Sequence, residues 1–325
     1  MAKVRNDSLD IAKGIAIIPV VLAHTISPVM EGHRILHFLY IFIYGIILPI
    51  FFVTSGYLST KLVTKPMSRL ELTKQRAVRL LLPYFVWAVI YLPMKIVMSQ
   101  HVRFSSEYKW YTILLGNNPD GQLWFLYVMF IVSLIMILFV TKKNLTVFTV
   151  VFMIASVFAP AIPYSIGFTS IALNFSLYQM GFFFLGTFFA MHFEYEKVTN
   201  NKLVFIISVA ELIAYAVVLY IKDTKVWYLE AISATCLIYT ILFVSNLLSK
   251  TKLNKALTYL GKKSMEIYIL HAPLLVIGRI ILPKVIANDY LYVLIMTVSV
   301  ITLSILISIV INKIKIARLL LFGSK

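Results

Sequence analysis

Asp10, Lys13 and His24 stand in the first long apolar run of the chain. Ionisable side chains inside an apolar span are costly and mark functional positions by default. Lys13 and His24 are eleven residues apart. At about 100° per residue both face one way, roughly 16 Å apart along a helix axis. An imidazole, with an unperturbed pKa of about 6.5, suits a general base or an acyl relay. It equally suits a hydrogen-bonded packing histidine. Asp10 and Lys13, at i and i+3, can pair across one turn, either as part of a site or as an anchor at the membrane surface with Lys13 snorkelling.

Arg76 and Arg79 are a second pair, in a basic stretch that also holds Lys61, Lys65, Arg69 and Lys74. If the stretch is helical they share a face, and two guanidinium forks at that spacing suit a phosphate or pyrophosphate. Anionic lipid headgroups, or a plain cytoplasmic charge bias, are the competing reading. Glu266, Tyr268 and His271 are polar groups entering a later apolar run, and their spacing alone fixes no chemistry. Glu211, near the middle of another run, needs a partner that the sequence does not name. The single cysteine, Cys236, sits in an apolar run and reads as packing. His and Glu are scattered rather than spaced as ligands, so no metal site is expected.

The elements that must position these residues are membrane helices. The chain has 325 residues, 61% of them hydrophobic and only 13% charged, with mean hydropathy +0.91. We expect an all-α integral membrane protein, one polytopic domain over residues 1–325, with no cleaved signal peptide. Apolar runs near 9–29, 36–58, 80–98, 121–141, 144–162, 172–191, 202–221, 227–248, 264–284 and 290–311 are each close to the length needed to span. With both termini in the cytoplasm, 21 of the 30 Lys and Arg fall on inner segments and 8 on outer ones. That is the bias the positive-inside rule requires. The net charge of +17 is therefore membrane topology, and a nucleic-acid partner is excluded. The lipid bilayer is the partner that composition implies.

Taken together, the segments resemble acyltransferase family 3, polytopic membrane acyltransferases of surface glycans. Leu9-Asp10-Ile-Ala-Lys13-Gly14 through His24 resembles the family's first-span signature. Phe51-Phe52-Val-Thr-Ser55-Gly56-Tyr57-Leu58 resembles the end of its second span. Arg76-x-x-Arg79 through Pro83-Tyr84 resembles its paired-arginine motif, and Gly121-Gln-Leu-Trp124-Phe125-Leu126 and Gly261-Lys-Lys-Ser264 through Tyr268 and His271 resemble later landmarks. Two positions depart from the pattern. Lys13 stands where Arg is common, which keeps the charge and loses the bidentate fork. Ile47 stands near where many members carry a His. The chain ends soon after the tenth expected span, so no appended extracellular domain is expected.

The resemblance implies transfer of an acyl group, commonly acetyl, from cytoplasmic acyl-CoA to a sugar hydroxyl outside. The acceptor would be a cell-envelope polysaccharide or a lipid-linked sugar. Lys13, Arg76 and Arg79 would then hold the CoA phosphates of acetyl-CoA. His24 would be the base or acyl carrier, with Glu266 and His271 as further catalytic groups. The expected location is a bacterial cytoplasmic membrane, with glycan-synthesis proteins as further partners. A transporter or flippase of a lipid-linked sugar is the alternative, since fold does not dictate function. Release of free CoA separates the two.

Overall fold

A computed structural model describes residues 7–97, 110–116, 122–161 and 169–324. Gly121 of the fourth motif lies outside these residues, as do Lys3, Arg5, Arg103, Lys109 and Lys325 of the charge tally. Every regular element among the described residues is helical. In chain order they are α1 (Asp7–Ile26), α2 (Arg34–Ile46), α3 (Pro49–Tyr57), α4 (Lys61–Thr64) and α5 (Arg69–Val97). Next come α6 (Trp124–Phe139), α7 (Leu145–Phe158), α8 (Thr169–His192), α9 (Tyr195–Thr199) and α10 (Lys202–Lys222). The last are α11 (Trp227–Leu248), α12 (Asn254–Ile281), α13 (Asp289–Asn312) and α14 (Lys315–Phe322). Short 3-10 turns cover Trp110–Leu115, Ala159–Ala161 and Leu282–Lys284.

Among the described residues, 7 helices are long and apolar enough to cross a membrane. They are α1, α2 with α3, α5 as far as Pro93, α10, α11, α12 with its 3-10 extension, and α13. The expected runs at 121–141 and 144–162 form the shorter apolar helices α6 and α7, and the run at 172–191 lies within α8. The second expected span is interrupted at Ile47 and Leu48, because Pro49 supplies no amide hydrogen and instead starts α3.

Two starts differ from the hydropathy reading, for one reason. α5 begins at Arg69 and α12 at Asn254, each about ten residues before the apolar run. Charged first turns at a membrane surface lower the hydropathy without breaking the helix. At α5 the start is set by a reciprocal capping box. The Glu71 amide donates to Ser68 Oγ at 3.2 Å, and the Ser68 amide donates to Glu71 Oε2 at 3.0 Å. The basic stretch carrying Arg76 and Arg79 is therefore mostly helix rather than loop.

The chain divides into two compact units, Met1–Leu58 with Phe182–Met265, and Ser59–Gly181 with Glu266–Lys325. In the first unit, α1 packs on α2, α3 and α11, and α11 packs also on α2, α3, α9 and α10. Lipid tails are as apolar as the side chains, so association here depends on close fit. At the Ser55-Gly56 motif, Gly56 takes the backbone of Phe183 against its α-carbon, and Thr187 Oγ1 donates to the Gly56 carbonyl at 2.8 Å.

In the second unit, α5 packs against α6 and α14. The Trp87 indole donates to the Leu321 carbonyl at 2.9 Å, which ties α14 to α5. Lys65 donates to the Val140 carbonyl at 2.8 Å, satisfying the C-terminal end of α6. Burial and then the neighbouring Arg69 charge draw this lysine's pKa below its ordinary value.

Candidate functional site

The first unit carries Asp10, Lys13 and His24 on one unbroken helix, α1. Lys13 and His24 are both half-buried, and the helix spacing keeps them roughly 16 Å apart. They share a side of α1 and do not touch. Asp10 is only 3% exposed. Its Oδ1 lies 2.7 Å from Lys13 Nζ, so the lysine is held by a buried carboxylate across one turn. Its charge is largely balanced before any ligand arrives, and it would meet a phosphate as a fixed point charge rather than a fork. His24 occupies the last turn of α1, beside the fully buried Thr25, whose hydroxyl donates to the Leu22 carbonyl at 2.8 Å.

Two of the motifs meet here. A Cβ on Gly261 would overlap the Asp10 carbonyl oxygen, and one on Gly14 would overlap the Leu257 carbonyl oxygen. The backbones of α1 and the first half of α12 are thus in direct contact at the turn that holds Asp10 and Lys13. Only glycine permits that approach. Gly261 therefore serves to seat α12 against the Asp10–Lys13 turn.

The second unit carries Arg76, Arg79, Glu266 and His271. Arg76 and Arg79 lie on successive turns of α5, close enough for the Arg79 charge to act on Arg76. Arg76 Nη2 donates to Ser59 Oγ, which fixes one guanidinium, while the Arg79 side chain is exposed. The Arg79 backbone is covered by Gly323, just past the end of α14. Like charges at this spacing repel, and an anion placed between the two forks would relieve that repulsion.

Glu266 and His271 make separate contacts. Asn312 Nδ2 donates to Glu266 Oε2 at 3.1 Å and to the Ser308 carbonyl at 2.7 Å, joining α12 to α13. His271 is 0% exposed, and its Nδ1 meets the Tyr268 carbonyl oxygen. A carbonyl only accepts, so Nδ1 carries the hydrogen in this contact. Tyr268 OH donates to the Gln122 carbonyl, and its ring lies 5.1 Å from that of Phe125. Tyr84 lies 5.4 Å from Tyr127 and donates to the Ile113 carbonyl at 2.9 Å. The paired-arginine helix, the Trp124 segment and the Tyr268–His271 turn are therefore neighbours within one unit.

Ser59 and Asn312 hold Arg76 and Glu266 in place and are absent from the sequence reading, while Gln122 entered it only as a motif position. Nothing in their spacing marks them, because each acts through a contact made far along the chain. Among the described residues, no three His, Cys, Asp or Glu side chains gather as metal ligands.

A family model described as an acyltransferase domain matches residues 6–311 of the chain, from α1 to the end of α13, leaving α14 outside. No curated protein and no solved structure matches it.

Proposed function

Because this chain belongs to the family 3 acyltransferases, we propose that it moves an acyl group, acetyl in the first instance, from cytoplasmic acyl-CoA to a hydroxyl of an envelope polysaccharide or lipid-linked sugar. The setting would be a bacterial cytoplasmic membrane with both termini inside. The observation that supports the donor half is the Arg76–Arg79 pair. Two guanidiniums on adjacent turns, one anchored by Ser59, present a cationic surface fitted to the phosphates of CoA. The one-sided distribution of Lys and Arg supports a cytoplasmic donor.

In this reading His24 takes the proton from the acceptor hydroxyl as the oxygen attacks the thioester carbonyl. The carbon–sulfur bond breaks, the ester forms, and the departing CoA thiolate receives the proton. Lys13, steadied by Asp10, lies on the same side of α1 as His24 and would add a positive charge for the donor. Glu266 and His271 would be supporting groups.

The experiment is free-CoA release by purified protein in lipid nanodiscs, with acetyl-CoA and isolated envelope glycan. Release that depends on the glycan is expected. Transport of a lipid-linked sugar without CoA release would sink the reading and favour a carrier. Arg76→Ala combined with Arg79→Ala is expected to weaken acetyl-CoA binding by about tenfold to a hundredfold, the scale of one or two charge-assisted hydrogen bonds. Unaltered affinity at physiological salt would assign the pair to lipid headgroups instead.

A further inference from the structure

A group of polar and aromatic side chains at one end of the second unit has no task in the chemistry above. Trp124, in the first turn of α6, stacks on Phe175 of α8, with ring centroids 4.1 Å apart and planes 15° from parallel. Both rings are half-buried, so the stack keeps an open edge. Next to Trp124, Phe125 lies 5.1 Å from the Tyr268 ring, and the Tyr268 hydroxyl donates to the Gln122 carbonyl. The Gln122 backbone is thereby fixed two residues ahead of the stacked indole.

The spacing on α8 adds two more polar groups beside the stack. At about 100° per residue, Phe175, Ser176 and Gln179 share roughly a 100° arc of the helix surface. Leu177 and Gly181 lie on the opposite side, where α7 packs. Ser156 Oγ is 3.4 Å from the Leu177 carbonyl oxygen, and a Cβ on Gly181 would overlap Ser156 and the Phe152 carbonyl. Ser176 and Gln179 therefore turn away from α7, on the Phe175 side. Gln179 is 2% exposed and Ser176 3%. Gln179 Oε1, Ser176 Oγ and Gln122 Oε1 are closed off from solvent and, among the described residues, have no hydrogen-bond partner. Buried polar atoms are nearly always paired, so three left open in one region need a cause. An amide oxygen only accepts, so the missing partner must donate. The aromatic stack beside them favours an apolar face. No charged side chain belongs to the group. A neutral sugar ring meets all three conditions, with hydroxyls at its edge and C–H groups on its face.

We propose that Gln122, Ser176 and Gln179, beside the Trp124–Phe175 stack, form the subsite for one uncharged pyranose ring of the acceptor. The two amide oxygens accept from ring hydroxyls, and Ser176 Oγ completes the hydrogen bonding. The C–H face of the ring lies against the half-exposed indole. This assignment rests on the acyl-transfer reading above, in which a sugar hydroxyl is the acceptor. With both termini inside, this end of α6 and α8 is the outer one, where a glycan would arrive.

Full-length protein in nanodiscs, with isolated envelope glycan as the probe, tests it in two arms. In the kinetic arm, Gln122→Leu and Gln179→Leu are each expected to raise the glycan KM by about threefold to tenfold, the scale of one neutral hydrogen bond, and to leave the acyl-CoA KM in place. Removing an unpaired buried amide should also hold or raise the thermal unfolding midpoint of the unliganded protein. A group that only packs would do the opposite, lowering the midpoint and moving both KM values together, and that result overturns the subsite. In the binding arm, glycan without any acyl donor is expected to shift tryptophan emission, with the shift lost in Trp124→Phe and displaced to higher glycan concentration in Gln179→Leu. An emission shift without CoA release would overturn acyl transfer and leave the subsite standing. Normal CoA release with an unchanged glycan KM in both Gln variants would overturn the subsite alone. Absence of both signals overturns both.

Discussion

His24→Ala is expected to reduce acyl transfer by about 10²- to 10⁴-fold, the usual contribution of a positioned general base. Position as well as residue type suits His24 to this role. α1 runs unbroken from Asp7 to Ile26, so His24 keeps a fixed place in its last turn, half-buried and backed by the fully buried Thr25. A histidine that only packed would lose stability on truncation and leave turnover per folded molecule intact. The measurement is therefore kcat and KM for glycan-dependent CoA release, on protein normalised by size-exclusion amplitude. A base acting in the transition state lowers kcat and kcat/KM together, with little change in the acyl-CoA KM. Unchanged glycan acylation in cells holding normal amounts of His24→Ala protein would remove His24 from the chemistry. The family assignment would survive that result.

Gly261→Leu is expected to have the largest structural effect of any single substitution considered. The position of a Cβ on Gly261 coincides with the Asp10 carbonyl oxygen, which is backbone and has nowhere to rotate. Inserting atoms into a packed contact commonly costs about 1–3 kcal/mol. Here α1 and α12 must move apart along the whole crossing that Gly14 and Gly261 share, so about 3 kcal/mol or more is expected. Since close fit drives helix association in lipid, the loss is not recovered by burying the new side chain. The variant should accumulate poorly and lower the thermal unfolding midpoint, with Gly261→Ala intermediate. Leu203→Ala, at an outward position on α10 (65% exposed), serves as the neutral control. A Gly261→Leu protein with wild-type elution and unfolding midpoint would contradict the direct contact of α1 with α12.

These two sites show what could and could not be read in advance. The place of His24 on one helix with Lys13 was legible, because a polar group in an apolar run is conspicuous and its relation to Lys13 is a local property of that helix. The Asp10–Lys13 pair was legible for the same reason, being three residues apart. Gly261 was visible as part of a motif, but its task was not, because its contact lies about 250 residues away in the chain. The start of α5 was misread in a different way. Hydropathy treats a charged first turn as loop, yet Ser68-Arg69-Leu70-Glu71 holds a capping signature that was available in the sequence.

By itself, the sequence determined that this chain is built of apolar helices, that a few ionisable groups are embedded in them, and which family's motifs it carries in order. Those are properties of composition and local period, and they survive any arrangement of the helices. The tertiary structure decided which groups are matched. It balanced Lys13 with a buried Asp10, anchored Arg76 on Ser59, closed His271 into the interior and set Glu211 beside Ser233. Helices that are hydrophobic on nearly every face carry little information about which face meets which neighbour. That choice is made by glycine contacts and single buried hydrogen bonds between distant residues, and it exists only once the chain has folded.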